Sequence, residues 1–282
     1  ENDYAMTIGY PGSTERYMSS WGIKQMVESE HTPRIEVRGA KQDIWRAAMN
    51  ASDAIRIKYA SKYAGSSNYW KNAMGMNEAI EKLGVIKDKE DLESRFTTWA
   101  ASNTKYSEAL SLVRNGYTST MDAAKIQTYL FETFYNGIEA TRIANTAIFV
   151  SKMEEDKDKA EELSNRLKFI YKDYEPSLDR KVMPALLKLY RDRVPAEYLP
   201  SIYEKIEAEF GGDFDKYAEW FYNNTKFTNL ETAKSLIAKG TPEEISKDPA
   251  IELAKSLEAP LKSIQKSMTP HYPEISKGSR FF

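Results

Sequence analysis

Periodicity sets the tightest limit on this chain. From about Val37 onward apolar side chains return every three or four residues, beginning with Ile44, Ala48, Ile55, Tyr59 and Tyr63. That spacing lays an apolar stripe along an α-helix. The first ten residues follow another rule: Tyr4, Met6, Ile8 and Tyr10 alternate with Asp3, Ala5, Thr7 and Gly9, as in a half-buried strand, until Pro11 and Gly12 stop the pattern. Nothing further along offers a comparable strand, and a strand without a neighbour leaves its backbone donors and acceptors unmatched. The pattern therefore predicts an all-α fold carrying one orphan N-terminal strand.

Glycines, prolines and short polar residues divide the helical part. A helix over 37–65 is expected to be capped at Gly65 and followed by a polar stretch over 65–77. Shorter helices should end near Gly84, cover 91–101 and cover 106–115 ahead of Gly116. A longer one over 121–153 should be bent, but not ended, by Gly137. The acidic run 154–162 reads as the start of a further helix through Leu167 and Ile170. Helices over 176–193, 199–210, 213–223 and 230–239 follow. Pro242 after Thr241 and Pro249 after Asp248 mark two more starts, the second leading to about Met268. The expectation is an irregular bundle of about ten helices over 36–282, with 1–35 as strand and linker. No repeat of roughly 34 or 40 residues recurs, so a solenoid is not supported.

With 282 residues and 41% hydrophobic composition the chain is long enough to bury a substantial core. Its 40 Lys and Arg against 42 Asp and Glu exclude a strongly basic nucleic-acid binder. No run approaches the roughly 18 apolar residues of a membrane span. There is no cysteine, which removes thiolate zinc sites, disulfides and a cysteine nucleophile, and the two histidines, His31 and His271, read as exposed loop residues. The carboxylates are spread over helix faces beside lysines and arginines and read as solvated surface, with no metal site, cofactor site or acid/base pair among them. Asn50-Ala51-Ser52 and Asn223-Asn224-Thr225 match the glycosylation acceptor pattern, which is common by chance.

Two segments stand apart. GYPGSTERYMSSWGIKQM, residues 9–26, follows the strand with a tight turn and then aromatic residues. KYASKYAGSSNYWKNAMGMN, residues 58–77, gathers Ser66, Ser67, Asn68, Tyr69, Trp70 and Asn72 into a polar-aromatic cluster, of the kind that walls a cleft or simply caps and packs a helix.

At these segments the chain resembles the bacterial dipeptidyl-peptidase 7 and dipeptidyl-peptidase 11 group of serine exopeptidases. GYPGSTERY and IRIKYASKYAGSSNYWKNAMGMN carry the resemblance most specifically, with weaker support from YEPSLDRKVMPALLKLY and KDPAIELAKSL. It implies a helical domain inserted between the lobes of a chymotrypsin-like double barrel, with residues 1–12 as the last strand of the truncated first barrel. The family's catalytic histidine and aspartate should then precede Glu1 and its serine follow Phe282, so this stretch holds no catalytic residue and should be inactive alone. The resemblance further implies that an asparagine of this domain helps hold the free α-amino group of a peptide substrate. Asn68 is the first choice and Asn72 the second, with Tyr69 and Trp70 as cleft walls or packing residues. An ammonium has only donors to offer, and an amide oxygen accepts from it without adding charge. Also implied are the substrate N-terminus and the two barrel lobes as partners, a tendency to homodimers, and a periplasmic or secreted location. The alternative reading is a helical protein-interaction module, for which the 12% aromatic content is mild support.

Overall fold

A computed structural model of the chain describes residues 4, 6, 14–103, 105–151, 165 and 167–282. Among the described residues every regular element is helical, with no strand. The strand expected over 1–12 lies almost wholly outside them, and Tyr4 and Met6 are exposed and belong to no strand. The acidic segment 154–162 lies outside them too.

Helix begins at Ser20, well inside the stretch read as linker. Helix α1 (Ser20–Gln25) is started by Ser19, whose hydroxyl accepts the Gly22 N–H at 3.2 Å. A π-helical turn (Met26–His31) joins it to α2 (Thr32–Ala51). At Ser52 the backbone turns extended and its hydroxyl accepts the Ile55 N–H, so one residue ends α2 and starts α3 (Asp53–Lys82). The single helix expected over 37–65 is thus two. Nor does α3 stop at Gly65. It runs through Gly65 and Gly75 because Tyr59, Ser66, Ala73 and Ile80, seven residues apart, keep one buried face over two-turn steps. The stretch 65–77 is therefore mid-helix and not a loop.

After α4 (Val85–Ala100), α5 (Ala109–Leu130) passes straight through Gly116. That glycine is a point of close approach: a Cβ there would collide with Ile275 of the C-terminal helix (Tyr272–Phe281). Gly278 on that helix is in turn pressed against Ala109 and Val113 of α5. Gly137 behaves in the opposite way. A second π-helical turn (Phe131–Tyr135) and the residues 136–138 end α5 before α6 (Glu139–Ser151) begins, and a side chain at 137 would strike Leu186 and the Thr133 carbonyl. The helix expected to bend there is broken.

Local signals read well in the C-terminal half. The helix Pro176–Arg193, labelled α7, has the expected bounds. Ile202–Phe210 closes on Gly211, at φ 63°, Phe214–Asn224 is capped by Asp213, and Leu230–Lys239 by Asn229. Thr241 and Glu244 form a reciprocal capping box, and Asp248 caps Pro249–Ser256. The last expected helix is two, Pro249–Ser256 and Glu258–Met268, and Tyr272–Phe281 follows unannounced. One continuous core joins these elements, with Tyr59, Tyr129, Phe134, Met183, Tyr190, Tyr217 and Phe221 almost fully enclosed.

Candidate functional site

The four residues singled out by sequence lie within little more than one turn at the middle of α3, Asn68, Tyr69 and Asn72 on its exposed side and Trp70 turned toward α2. Asn68 and Asn72 are one turn apart, both exposed, and among the described residues neither side chain makes a hydrogen bond. Tyr69 is 58% exposed, and its ring covers the Arg38 guanidinium at 5.0 Å. Trp70 is only half-buried, but its indole N–H is committed, donating to the Ile35 carbonyl of α2 at 3.0 Å. It lies close over Gly39 of the same helix. Two free amides beside the Tyr69 ring make an exposed strip with carbonyl oxygens that a donor-only group could use, and Trp70 ties the helix to α2.

The strip rests on buried charge that the sequence pattern did not disclose. Arg38 donates through Nε and Nη2 to the two oxygens of Glu132, at 2.7 and 3.0 Å, and Arg34 reaches the same carboxylate at 3.4 Å. Glu139 accepts from Lys62 Nζ at 2.6 Å and from the Tyr59 hydroxyl at 2.5 Å. Burial, with the charge of Glu139, raises the Tyr59 phenol above its ordinary range, so it stays a donor. Asp179 accepts the backbone N–H groups of Glu139 and Ala140 at 2.9 and 2.8 Å and the Tyr222 hydroxyl at 2.7 Å. Burial and the Glu139 charge push its carboxyl up to about 6 against those hydrogen bonds. Glu93, Glu132, Glu139, Asp179 and Asp248 are all buried, so the reading of the carboxylates as uniformly solvated fails for these five. One available signal was Asn136-Gly137, a turn pair that places Glu139 in the first turn of a new helix. For Glu132 and Asp179 no local pattern distinguishes a buried carboxylate from an exposed one.

The histidines are corrected as well. His31 is buried, and its Nδ1 lies 2.6 Å from Asn77 Oδ1, so it ties the start of α2 to α3. His271 is partly buried beside Glu274, at 3.2 Å. Among the described residues neither is hydrogen-bonded to a serine. The hydroxyls of both glycosylation patterns do structural work: Ser52 caps α3, and Thr225 donates to Asp248 at 2.8 Å. Among the described residues no group of three His, Cys, Asp or Glu is placed to hold a metal ion, and no helix is long and apolar enough to cross a membrane. A groove of about 730 Å³ between Trp220, Leu236, Lys239 and Glu244 does not involve α3.

The sequence pattern of the family Peptidase S46 matches residues 1–281. The chain is 43% identical over its whole length to a dipeptidyl-peptidase 7 of Porphyromonas gingivalis, and 29% identical over 98% of its length to an Asp/Glu-specific dipeptidyl-peptidase of Flavobacterium psychrophilum. It spans only 40% and 39% of those proteins. Its fold superposes on the dipeptidyl-peptidase 11 of Porphyromonas endodontalis, solved with the dipeptide Arg-Glu, with a TM-score of 0.79 and 25% identity over 97% of this chain and 40% of that one.

Proposed function

The chain belongs to the peptidase S46 family, and from that premise we propose that it is the helical domain of a dipeptidyl-peptidase, covering the active-site cleft and helping to hold the free amino terminus of the peptide. One observation supports this most directly: Asn68 and Asn72 present unused amide groups side by side on the exposed face of α3, while the neighbouring Trp70 is tied down to α2. Accepting from the substrate ammonium fixes where the peptide begins. A nucleophile two residues further along then releases dipeptides and not single residues.

In this reading the chemistry is acyl transfer from a serine outside residues 1–282, and the domain alone does not hydrolyse peptides. The barrel lobes are its partners within the parent chain, and the parent works in the periplasm or outside the cell. Asn68 makes the principal contact and Asn72 a supporting one, with Tyr69 as a wall and Trp70 as its anchor.

The test compares kcat/KM of the full-length parent and its Asn68→Ala variant on a dipeptidyl reporter with a free or an acetylated amino terminus. A hydrogen bond to a charged group is worth roughly 1.5–3 kcal/mol, so the free-amine substrate should lose roughly 10- to 150-fold while the acetylated one changes little. Equal rates for wild type and variant on both substrates overturn the assignment. The alternative, a protein-interaction module, would then gain weight from the aromatic edge where Trp99, 60% exposed, packs against Phe96 and Tyr106 at 5.7 and 5.2 Å.

A further inference from the structure

Between α2, α3 and the start of α6 lies a cavity of about 200 Å³ whose charged walls are Arg38, Lys41, Lys62, Arg142 and Glu139. Four cations meet few anions here. Arg38 is engaged by Glu132, and Lys62 by Glu139, which Arg142 also approaches at 3.6 Å. Lys41 has no such partner: among the described residues no carboxylate lies within ion-pairing distance of it. The residue is 2% exposed, and its ammonium donates to the Asn136 carbonyl at 2.7 Å and sits 4.6 Å from the Trp45 ring. Proteins pair buried charges or neutralise them, because an isolated ion in a poorly polarisable interior is costly. Ser66 also lines this space, and its hydroxyl is enclosed and, among the described residues, makes no hydrogen bond. An enclosed ammonium without a carboxylate partner and an unused hydroxyl thus belong to residues around one small space, with two guanidinium groups beside it.

We propose that this cavity is a binding site for a small carboxylate, either a free acid or the side chain of an acidic residue in a peptide. Lys41 supplies the charge, Ser66 a neutral donor, and Arg142, 46% exposed in its side chain, a planar fork at the mouth that matches a carboxylate in shape. Size agrees: a water takes about 30 Å³, so the space holds a carboxylate with its adjoining carbons but not a nucleotide. The site shares Tyr69 with the amide strip of Asn68 and Asn72 but uses neither amide, and it stands whether or not that strip receives the peptide amine.

Isothermal titration calorimetry of the full-length protein, at fixed ionic strength, tests it with two probes: acetate, and acetyl-Ala-Glu-amide, whose blocked ends cannot use an amine site. Saturable one-to-one binding of either probe, weakened about tenfold or more by Arg142→Ala and lost in Lys41→Met, is the expected result. Binding of acetate alone identifies a free acid, and binding of the peptide alone an acidic side chain. Because Arg142 is half exposed, its variant should fold even where Lys41→Met does not. Absence of binding by both probes, or equal affinity in wild type and Arg142→Ala, overturns the proposal.

Discussion

Asp179 caps the helix that Glu139 begins, its carboxylate accepting the Glu139 backbone N–H at 2.9 Å although both side chains are buried acids of one cluster. The arrangement joins α6 to α7 through the unsatisfied amides of a helix start. Replacing Asp179 with Ala leaves the Glu139 and Ala140 amides and the Tyr222 hydroxyl without their acceptor. A loss of about 3–5 kcal/mol is expected for breaking a buried charged network of this kind. Thermal unfolding should read it as a fall in the midpoint of roughly 10 °C.

The same residue fixes a pH dependence. Its carboxyl is raised to about 6 in the folded chain from an ordinary 3.8, so between those values the folded state keeps a proton that the unfolded state has released. Stability from this group is therefore complete below about pH 4 and is lost as the pH rises through 6. Urea titrations of wild type and Asp179→Asn at pH 4.5 and 7 should show the wild type losing stability relative to the variant over that interval. A parallel response in the two proteins would rule this linkage out.

Lys41 runs the other way. Burial, reinforced by Arg38, pushes its ammonium down to about 8 from 10.5, so between these values the unfolded chain binds the extra proton. Stability rises with pH across that window and the penalty of the buried charge is fully present below 8. The stability of wild type relative to Lys41→Met should thus be greater at pH 10 than at pH 7.5, measured by urea denaturation without added carboxylate.

What sequence revealed here depended on whether the determining contacts were local. Asp213, Asn229, Thr241 with Glu244, and Asp248 each satisfy amides within a few residues of themselves, so the helix starts they mark could be read directly. Gly65 and Gly116 look like the same kind of punctuation, yet both lie inside helices. Their neighbours are held by packing across distant elements, Ile275 against Gly116 above all. The exposed asparagine strip was visible as a motif, but the charges beneath it were not. Glu132 finds Arg38 94 residues away, and Lys41 finds the Asn136 carbonyl at a separation of 95, pairings that no local pattern carries.

The two glycines separate those cases by experiment. Nothing lies within 4 Å of a Cβ placed on Gly65, and its backbone is helical, so Gly65→Ala should stabilise the chain by about 0.5–1 kcal/mol by removing freedom from the unfolded state. At Gly116 the same methyl group strikes Ile275 in a closely packed seam, and Gly116→Ala should cost about 1–3 kcal/mol. Denaturant midpoints of the two variants should move in opposite directions. A rise for both would mean that the helix carrying Ile275 yields to the added methyl.

Trp70 and Asn68 are neighbours in sequence, but they should fail differently when changed. Trp70 Nε1 is bonded to the Ile35 carbonyl at 3.0 Å, whereas the Asn68 side chain touches no hydrogen-bonding group among the described residues. Trp70→Phe keeps a ring over Gly39 and removes the donor, leaving a backbone carbonyl of α2 without it, and should lower stability by about 1 kcal/mol. Asn68→Ala, on an exposed helical face, should leave the thermal midpoint within about 1–2 °C of wild type, because alanine is the better helix former and no contact is lost. Its effect should fall instead on kcat/KM for the free-amine substrate. If Trp70→Phe leaves stability unchanged, the indole hydrogen bond does not tie α3 to α2, and Trp70 returns to being a candidate wall of the peptide cleft.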